Sequence, residues 1–221
     1  MTGTPHPPYA ESFPALSAIP GIVHAFTLRV PGVDVRVDRE LALIRLGQVH
    51  AEQRGQLGLE HRKYIMAQQT HGAEVAVVDA STVSPVPVVD GLITADPSVC
   101  LGIYVADCGP VYLVDPVKRA VGLLHSGRRG TDQEITTVAI QRMAEEYGSS
   151  PEDLVVQLGP CIRPPLYEVD FAADIVKQAR DAGVRQVHDC GVCTGREVER
   201  YYSYRVEKGR TGRMVAILAL V

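Results

Sequence analysis

The chain lacks any apolar run approaching the ~20 residues that span a bilayer, although apolar residues make up 46% of its 221 positions. Short runs cut by Gly, Pro and charge suit a water-soluble core, so no membrane partner is expected. It also lacks a basic segment. The 22 Lys and Arg against 26 Asp and Glu leave a formal net charge of −4, whereas a nucleic-acid binder gathers its cations in one patch. Met1 to Pro8 has no basic start leading into an apolar stretch, so no secretory signal is expected and the cytoplasm is the expected compartment. Five scattered cysteines, an odd number, do not make a disulfide framework and read as reduced thiols, available as ligands or nucleophiles. Internal repeats, low-complexity tracts and linkers are also absent, and the length suits one core.

What is present reads as α/β. Residues 1–20, rich in Pro, Ser, Thr and Ala without periodicity, predict a flexible, surface-draped lead-in before a single catalytic domain over 21–221. Strands are predicted at Ile22 to Thr27, Tyr64 to Gln68, Glu74 to Val78, Cys100 to Val105, Val111 to Asp115, Ala120 to Leu124, Leu154 to Leu158 and Met214 to Leu220. Helical periodicity runs from Asp38 to about Gln53. It returns after Thr131 and Glu134, which have the spacing of a capping box and precede a stop at Gly148, and again from Asp170 to Gly183. Strands this apolar need cover on both faces, which predicts a mixed sheet flanked by helices.

Three segments place a polar side chain at the end of an apolar strand: Gln69 to Gly72, Ala106 to Pro110, and His125 to Gly130. Strand ends in a twisted sheet converge on a crevice, so His71, Cys108 and His125 can meet there. Two imidazoles and a thiolate are a normal zinc set that leaves a fourth position for water or substrate. Each alone is equally compatible with a turn cap or a buried side chain. Arg128, Arg129 and Gly130, between His125 and a helix start, suit an anion such as phosphate or carboxylate, although no Walker ending is present. Asp107 precedes a ligand and is a candidate base or orienting group. Cys190 and Cys193 have redox-pair spacing without a second pair, and Tyr201, Tyr202 and Tyr204 beside Arg205 could stack on a planar ligand or pack in the core.

In this order, Gln69 to Gly72, Asp90 to Thr94, Ala106 to Pro110, His125 to Thr131, Gly159 to Ile162, Tyr167 to Val169, Ser203 to Arg205 and Gly212 to Met214 resemble the YfiH family. That family is also called the laccase-domain or multicopper polyphenol oxidoreductase family, and it takes in peptidoglycan editing factors and purine nucleoside phosphorylases. More faintly, Thr27 and Arg29 match its N-terminal Thr-x-Arg.

The resemblance implies a three-layer α/β/α fold and one zinc per chain on His71, Cys108 and His125. It further implies phosphorolysis of adenosine, inosine, guanosine and methylthioadenosine, with adenosine deamination beside it. Asp107, Cys108, His125 and Arg129 are then the catalytic candidates, and Arg29, Gln69, Arg128, Arg129 and Gly130 the candidates for holding nucleoside or phosphate. The older name implies copper and phenol oxidation, but the chain shows one His-Cys-His set, not the several histidine clusters of a multicopper oxidase. An amidase acting on a cell-wall precursor through Cys108 and His125, and a metal-binding regulator without turnover, remain alternatives. Both a monomer and a homodimer are compatible with the sequence. The chain departs from the family at Arg128, usually Trp, at Pro31 to Asp34, usually Gly-Gly-Val-Ser, and in lacking an Asn-rich stretch between Asp34 and Met66.

Overall fold

A computed structural model describes residues 9–221. In chain order the elements are β1 (Ala10–Glu11), α1 (Pro14–Ser17), β2 (Ile22–Thr27), α2 (Arg39–Gln56), β3 (Lys63–Met66), β4 (Val75–Val77), β5 (Gly91–Thr94), β6 (Val99–Val105), β7 (Gly109–Asp115) and β8 (Ala120–Ser126). They continue with α3 (Arg128–Asp132), α4 (Ile135–Tyr147), β9 (Val155–Leu158), α5 (Phe171–Asp181), β10 (Gln186–Asp189) and β11 (Met214–Leu220).

The expected mixed α/β architecture is present, with one difference: the strands form two sheets instead of one. The first runs β1-β2-β11-β6-β3 and the second β10-β9-β7-β8-β5-β4. Each is mixed, antiparallel except where β3 joins β6, β10 joins β9 and β4 joins β5. Side-chain alternation gives the reason for the division. Leu101, Ile103, Met214, Ala216 and Leu218 from the first sheet share one buried cluster with Tyr112, Val114, Val121 and Leu123 from the second. The sheets therefore stack face to face. The other face of the second sheet, with Val111, Leu113, Leu124, Val156 and Leu158, packs on Ile135, Ala139, Ile140 and Met143 of α4 and Phe171, Ile175 and Ala179 of α5. On the outer face of the first sheet, α2 sets His50 beside Tyr104, with ring centroids 5.9 Å apart, and Arg54 over Tyr64. Both faces of the central strands are dry, so their runs carry little polar alternation. Each fully buried Leu, Ile or Val contributes roughly 1.5–3 kcal/mol. Across the interface the Tyr112 hydroxyl donates to the Ala25 carbonyl at 2.8 Å.

Several local expectations change. Of the predicted lead-in, the first eight residues lie outside the described part, and the rest is structured. β1 pairs antiparallel with β2, Phe13 and Leu16 are buried, and the Phe13 ring lies 5.4 Å from Tyr112. Segment composition concealed this because two large apolar residues, Phe13 and Leu16, in eight positions show no period. The Thr131–Glu134 capping box does not form. The turn begins earlier, at Arg128, and breaks at Glu134, whose φ of 59° starts α4 afresh, while the Thr131 hydroxyl donates back to the Gly127 carbonyl at 2.8 Å. Asp38 and Asp170 cap α2 and α5 by accepting from Leu41 and Ala173, and Gly148 and Gly183 end their helices at φ 68° and 98°. β10 escaped prediction because its polar run lies at a sheet edge, paired with β9.

If residues 10–17 are part of the core, Phe13→Ala will lower unfolding stability by about 3 kcal/mol, the range for deleting a buried aromatic ring. Urea denaturation measures it. A loss below about 0.5 kcal/mol, the range of surface substitutions, would mean that the segment is an ornament.

Candidate metal centre and cavity

The chain leaving β3 is pinned at Gln69, whose amide donates to the Tyr104 carbonyl at 2.7 Å and accepts from the Tyr104 N–H at 3.1 Å. Both ends of Gln69 are thereby spent on aligning the segment that carries His71. That segment then turns sharply, with His71 at φ 63°, a left-handed conformation that costs a non-glycine residue about 1–2 kcal/mol. One carboxylate holds the turn. Asp90, fully buried just ahead of β5, accepts from the N–H groups of Thr70, His71 and Gly72 at 2.9, 2.9 and 2.8 Å, and from the Thr70 hydroxyl at 3.1 Å. It also accepts from His125 Nδ1 at 2.7 Å, while its carbonyl accepts the His125 N–H at 2.7 Å. Burial pushes the Asp90 carboxyl up, but the His125 ring and the Gly72 and Thr70 amides outweigh it and hold the group ionised, well below the usual range. With Nδ1 committed to Asp90, His125 turns Nε2 toward the other two side chains.

Cys108 stands in the tight connection between β6 and β7, facing Gly127 at the end of β8. A methyl group on Gly127 would lie 2.4 Å from Cys108 Sγ, so glycine is required for the approach. The donor atoms of His71, Cys108 and His125 lie within 4.8 Å of one another, and the two imidazoles are 4.8 Å apart at 80°. Among the described residues no other group of His, Cys, Asp or Glu is gathered closely enough to hold a metal. Burial raises the Cys108 thiol, yet the His125 and His71 rings win and bring it down to about 6. Burial likewise lowers His125, while Cys108 and Asp90 lift it to about 9. Without metal the pair is a thiolate beside an imidazolium, the deprotonated sulfur that a metal takes as ligand.

These three residues open into a cavity of about 1050 Å³. Arg39, Arg128, Arg129, Arg205, Lys208 and Arg213 line it, against Asp107 and Asp132 as acids, and Tyr104, Tyr167, Phe171 and Tyr204 supply aromatic walls. Arg128 lies 3.9 Å from both Asp132 and Glu168, and Arg205 pairs with Glu168 at 2.6 Å and lies over the Tyr167 ring. Arg129 has no carboxylate partner among the described residues.

The remaining sequence candidates divide. Asp107 lines the cavity, but its oxygens accept from the Thr194 hydroxyl at 2.7 Å and the Arg205 N–H at 2.8 Å; burial raises its carboxyl. It braces two loops. Arg29 is not among the lining residues: it donates to Glu207 at 2.6 Å and to the Tyr201 carbonyl, and stacks on Tyr202. Gly130 is a packing glycine, since a Cβ there would meet the Gly72 carbonyl at 2.9 Å. Tyr201 and Tyr202 are buried in the core, leaving Tyr204 to face the cavity. The backbones of Cys193 and Cys161 pair in an isolated β-bridge while both thiols stay free, and burial lifts the Cys190 thiol to about 11, so Cys190 is not poised to react. Asp90 is the residue that spacing alone did not single out. It appeared only inside the Asp90 to Thr94 segment, and nothing local signals that its carboxylate serves residues some twenty positions earlier.

Known proteins resemble this chain to different depths. A purine nucleoside phosphorylase of Streptomyces coelicolor is 32% identical over 191 residues, covering 74% of this chain and 78% of the relative. Another, from Deinococcus radiodurans, is 29% identical over 232 residues, covering 90% and 89%. The crystal structure of YlmD from Geobacillus stearothermophilus superposes with a TM-score of 0.80 at 25% identity, covering 94% of each chain. YfiH of Bacillus licheniformis, at 23% identity and a TM-score of 0.75, shares the fold. Residues 45–178 and 169–221 match the family model described as multi-copper polyphenol oxidoreductase laccase. With 94% of the chain superposing on YlmD and most of its length within that family model, the chain belongs to the laccase-like YfiH family.

Proposed function

We propose that this protein is a zinc-dependent purine nucleoside phosphorylase that also deaminates adenosine. The observation that carries the reading is the cavity itself, which joins a His-Cys-His donor set to cationic side chains and aromatic walls. The relatives named purine nucleoside phosphorylase support it. The donor set suits zinc: two neutral nitrogens and a readily ionised sulfur, with one imidazole oriented from behind by a carboxylate. Zinc held by His71, Cys108 and His125 supplies a Lewis-acidic centre with an open position.

In phosphorolysis a phosphate oxygen bonds to C1′ of the ribose as the bond from C1′ to the purine breaks. The chain's part is to hold a multiply charged anion against a flat, weakly polar base. Arg129, free of carboxylate partners, suits the phosphate. Tyr104, Tyr167 and Tyr204 present ring faces and edges to a purine. Asp107, with both oxygens engaged, keeps the Thr194 and Arg205 loops in place around them. Arg128, where the family usually has Trp, replaces a ring with a guanidinium tied to Glu168.

A second reading has its own observation. Cys108, His125 and Asp90 stand in the order of a thiol, an imidazole and a carboxylate on the far ring nitrogen, the arrangement that activates a cysteine nucleophile. As a ligand, Cys108 cannot also attack a carbonyl. The two readings therefore part at metal removal.

Arg129→Ala will raise the KM for phosphate about ten-fold with the nucleoside KM within about two-fold, as expected when one charge-assisted contact to the anion is lost. Steady-state kinetics with each substrate varied in turn measures this, and equal losses would make Arg129 structural. Metal analysis of protein produced without added copper should find close to one zinc per chain. Chelation should then abolish phosphorolysis, zinc should restore it, and iodoacetamide should modify Cys108 quickly only after the metal is removed. Full activity in metal-free protein would favour the cysteine hydrolase, and stoichiometric copper without zinc would favour the oxidase. Asp90→Asn should weaken zinc binding roughly 10- to 100-fold, the usual effect of losing the group behind a histidine ligand; competition with a chromophoric chelator reads it directly.

A further inference from the structure

The cations of the cavity are not equivalent. Arg128 and Arg205 share Glu168, whereas Arg39, Arg129, Lys208 and Arg213 have no carboxylate within salt-bridge distance among the described residues. Arg213 is the exceptional member. It is 9% exposed, immediately precedes β11, and donates through Nη1 to the Thr211 and Gly212 carbonyls at 3.1 and 2.8 Å. Those two contacts leave Nη2 and Nε free of protein acceptors. Its guanidinium also lies 5.6 Å from the Tyr204 ring centroid, which faces the same cavity.

A buried, permanently charged group with unused donors is costly unless an anion completes it. The nearest acid, Asp107, already accepts from Thr194 and Arg205 and forms no ion pair with Arg213. Burial and the proximity of Arg39 both work against the Arg213 cation and outweigh Tyr204, Asp107 and Cys108, which favour it. Two guanidiniums lining one cavity, neither held in an ion pair among the described residues, make an arrangement that suits phosphate, whose planar oxygen pairs match the guanidinium fork. Topology separates this pair from Arg129. Arg213 leads into the first sheet and Arg39 opens α2, which covers that sheet, whereas Arg129 follows β8 of the second sheet.

We propose that Arg213 and Arg39 form a second phosphate-binding subsite on the first-sheet wall of the cavity, distinct from Arg129. Its occupant is a phosphate group, either the 5′-phosphoryl of a purine nucleotide or a second free phosphate. The nucleotide form rests on the purine nucleoside reading above; the free-phosphate form does not. In the nucleotide form the cavity holds a substrate anion at one wall and the attacking phosphate at the other, and nucleoside monophosphates join nucleosides as ligands.

Isothermal titration of the zinc-loaded protein with adenosine, adenosine 5′-monophosphate and inorganic phosphate, each separately, tests this. The expected result is that the monophosphate binds about 10- to 100-fold tighter than adenosine, the worth of charge-assisted hydrogen bonds to one phosphate. Arg39→Gln and Arg213→Met should each reduce that preference, and Arg213→Lys should retain part of it. If adenosine and its monophosphate bind alike, but two inorganic phosphates bind per chain and Arg39→Gln removes one, the subsite stands with free phosphate as its occupant. If neither adenosine nor its monophosphate binds while Arg39→Gln still weakens phosphate, the subsite survives and the nucleoside reading fails. The subsite is overturned if the monophosphate has no advantage and phosphate binding is unchanged in Arg39→Gln. Arg39 is exposed at the start of α2, so this variant tests the proposal even if Arg213→Met does not fold.

Discussion

The buried carboxylate of Asp90 joins two parts of the chain that lie far apart in sequence. Three consecutive amides of the 70–72 turn and the ring of His125 converge on it. Unpaired, such a charge in the core would be prohibitively unfavourable. The donors it accepts therefore also fix the positions of two candidate metal ligands, His71 and His125. The left-handed backbone at His71 is tolerated for the same reason, because the turn that requires it satisfies Asp90. Cys108 is placed independently, by the connection between β6 and β7 and by the missing side chain at Gly127.

Stacking two sheets serves this centre. The three candidate ligands come from segments that follow β3 and β6 of the first sheet and from the end of β8 in the second, so neither sheet holds the set alone. Their relative position depends on a tightly packed apolar interface, crossed by the hydrogen bond from Tyr112 to Ala25. Closely packed cores resist shear because displaced side chains lose contacts on every side, and this rigidity keeps the donor atoms gathered. The Phe13 segment caps the same interface beside Tyr112, linking the start of the chain to its most buried layer.

Charge shows a similar contrast between whole and part. The chain is net acidic at −4, yet the charged residues that line its cavity are mostly arginine. A local field of one sign inside a concave, partly dry site attracts an anion more strongly than the same charges would on an open surface. Carboxylates do not neutralise this field uniformly. Glu168 engages Arg128 and Arg205, while Asp107 is turned to the loops behind it. The paired arginines are held at the wall, whereas Arg39, Arg129 and Arg213 have no carboxylate partner among the described residues.

Sequence alone determined the class of fold, most strand positions and the three metal-binding candidates, because burial on both faces leaves long apolar runs and because zinc chemistry admits few side chains. It also marked helix ends at Gly148 and Gly183, where the backbone requirement is local. Only the tertiary structure decided how the strands divide into two sheets, since alternation reports that a face is buried but not which face covers it. It likewise tied Arg29 to Glu207 and packed Gly130 against the Gly72 carbonyl, and it set a separate short helix, α3, ahead of α4. Asp90 was legible as an acidic residue before a strand and no more. Its partners lie about twenty residues before it and thirty-five after it, and hydrogen bonds over such separations exist only once the fold has closed.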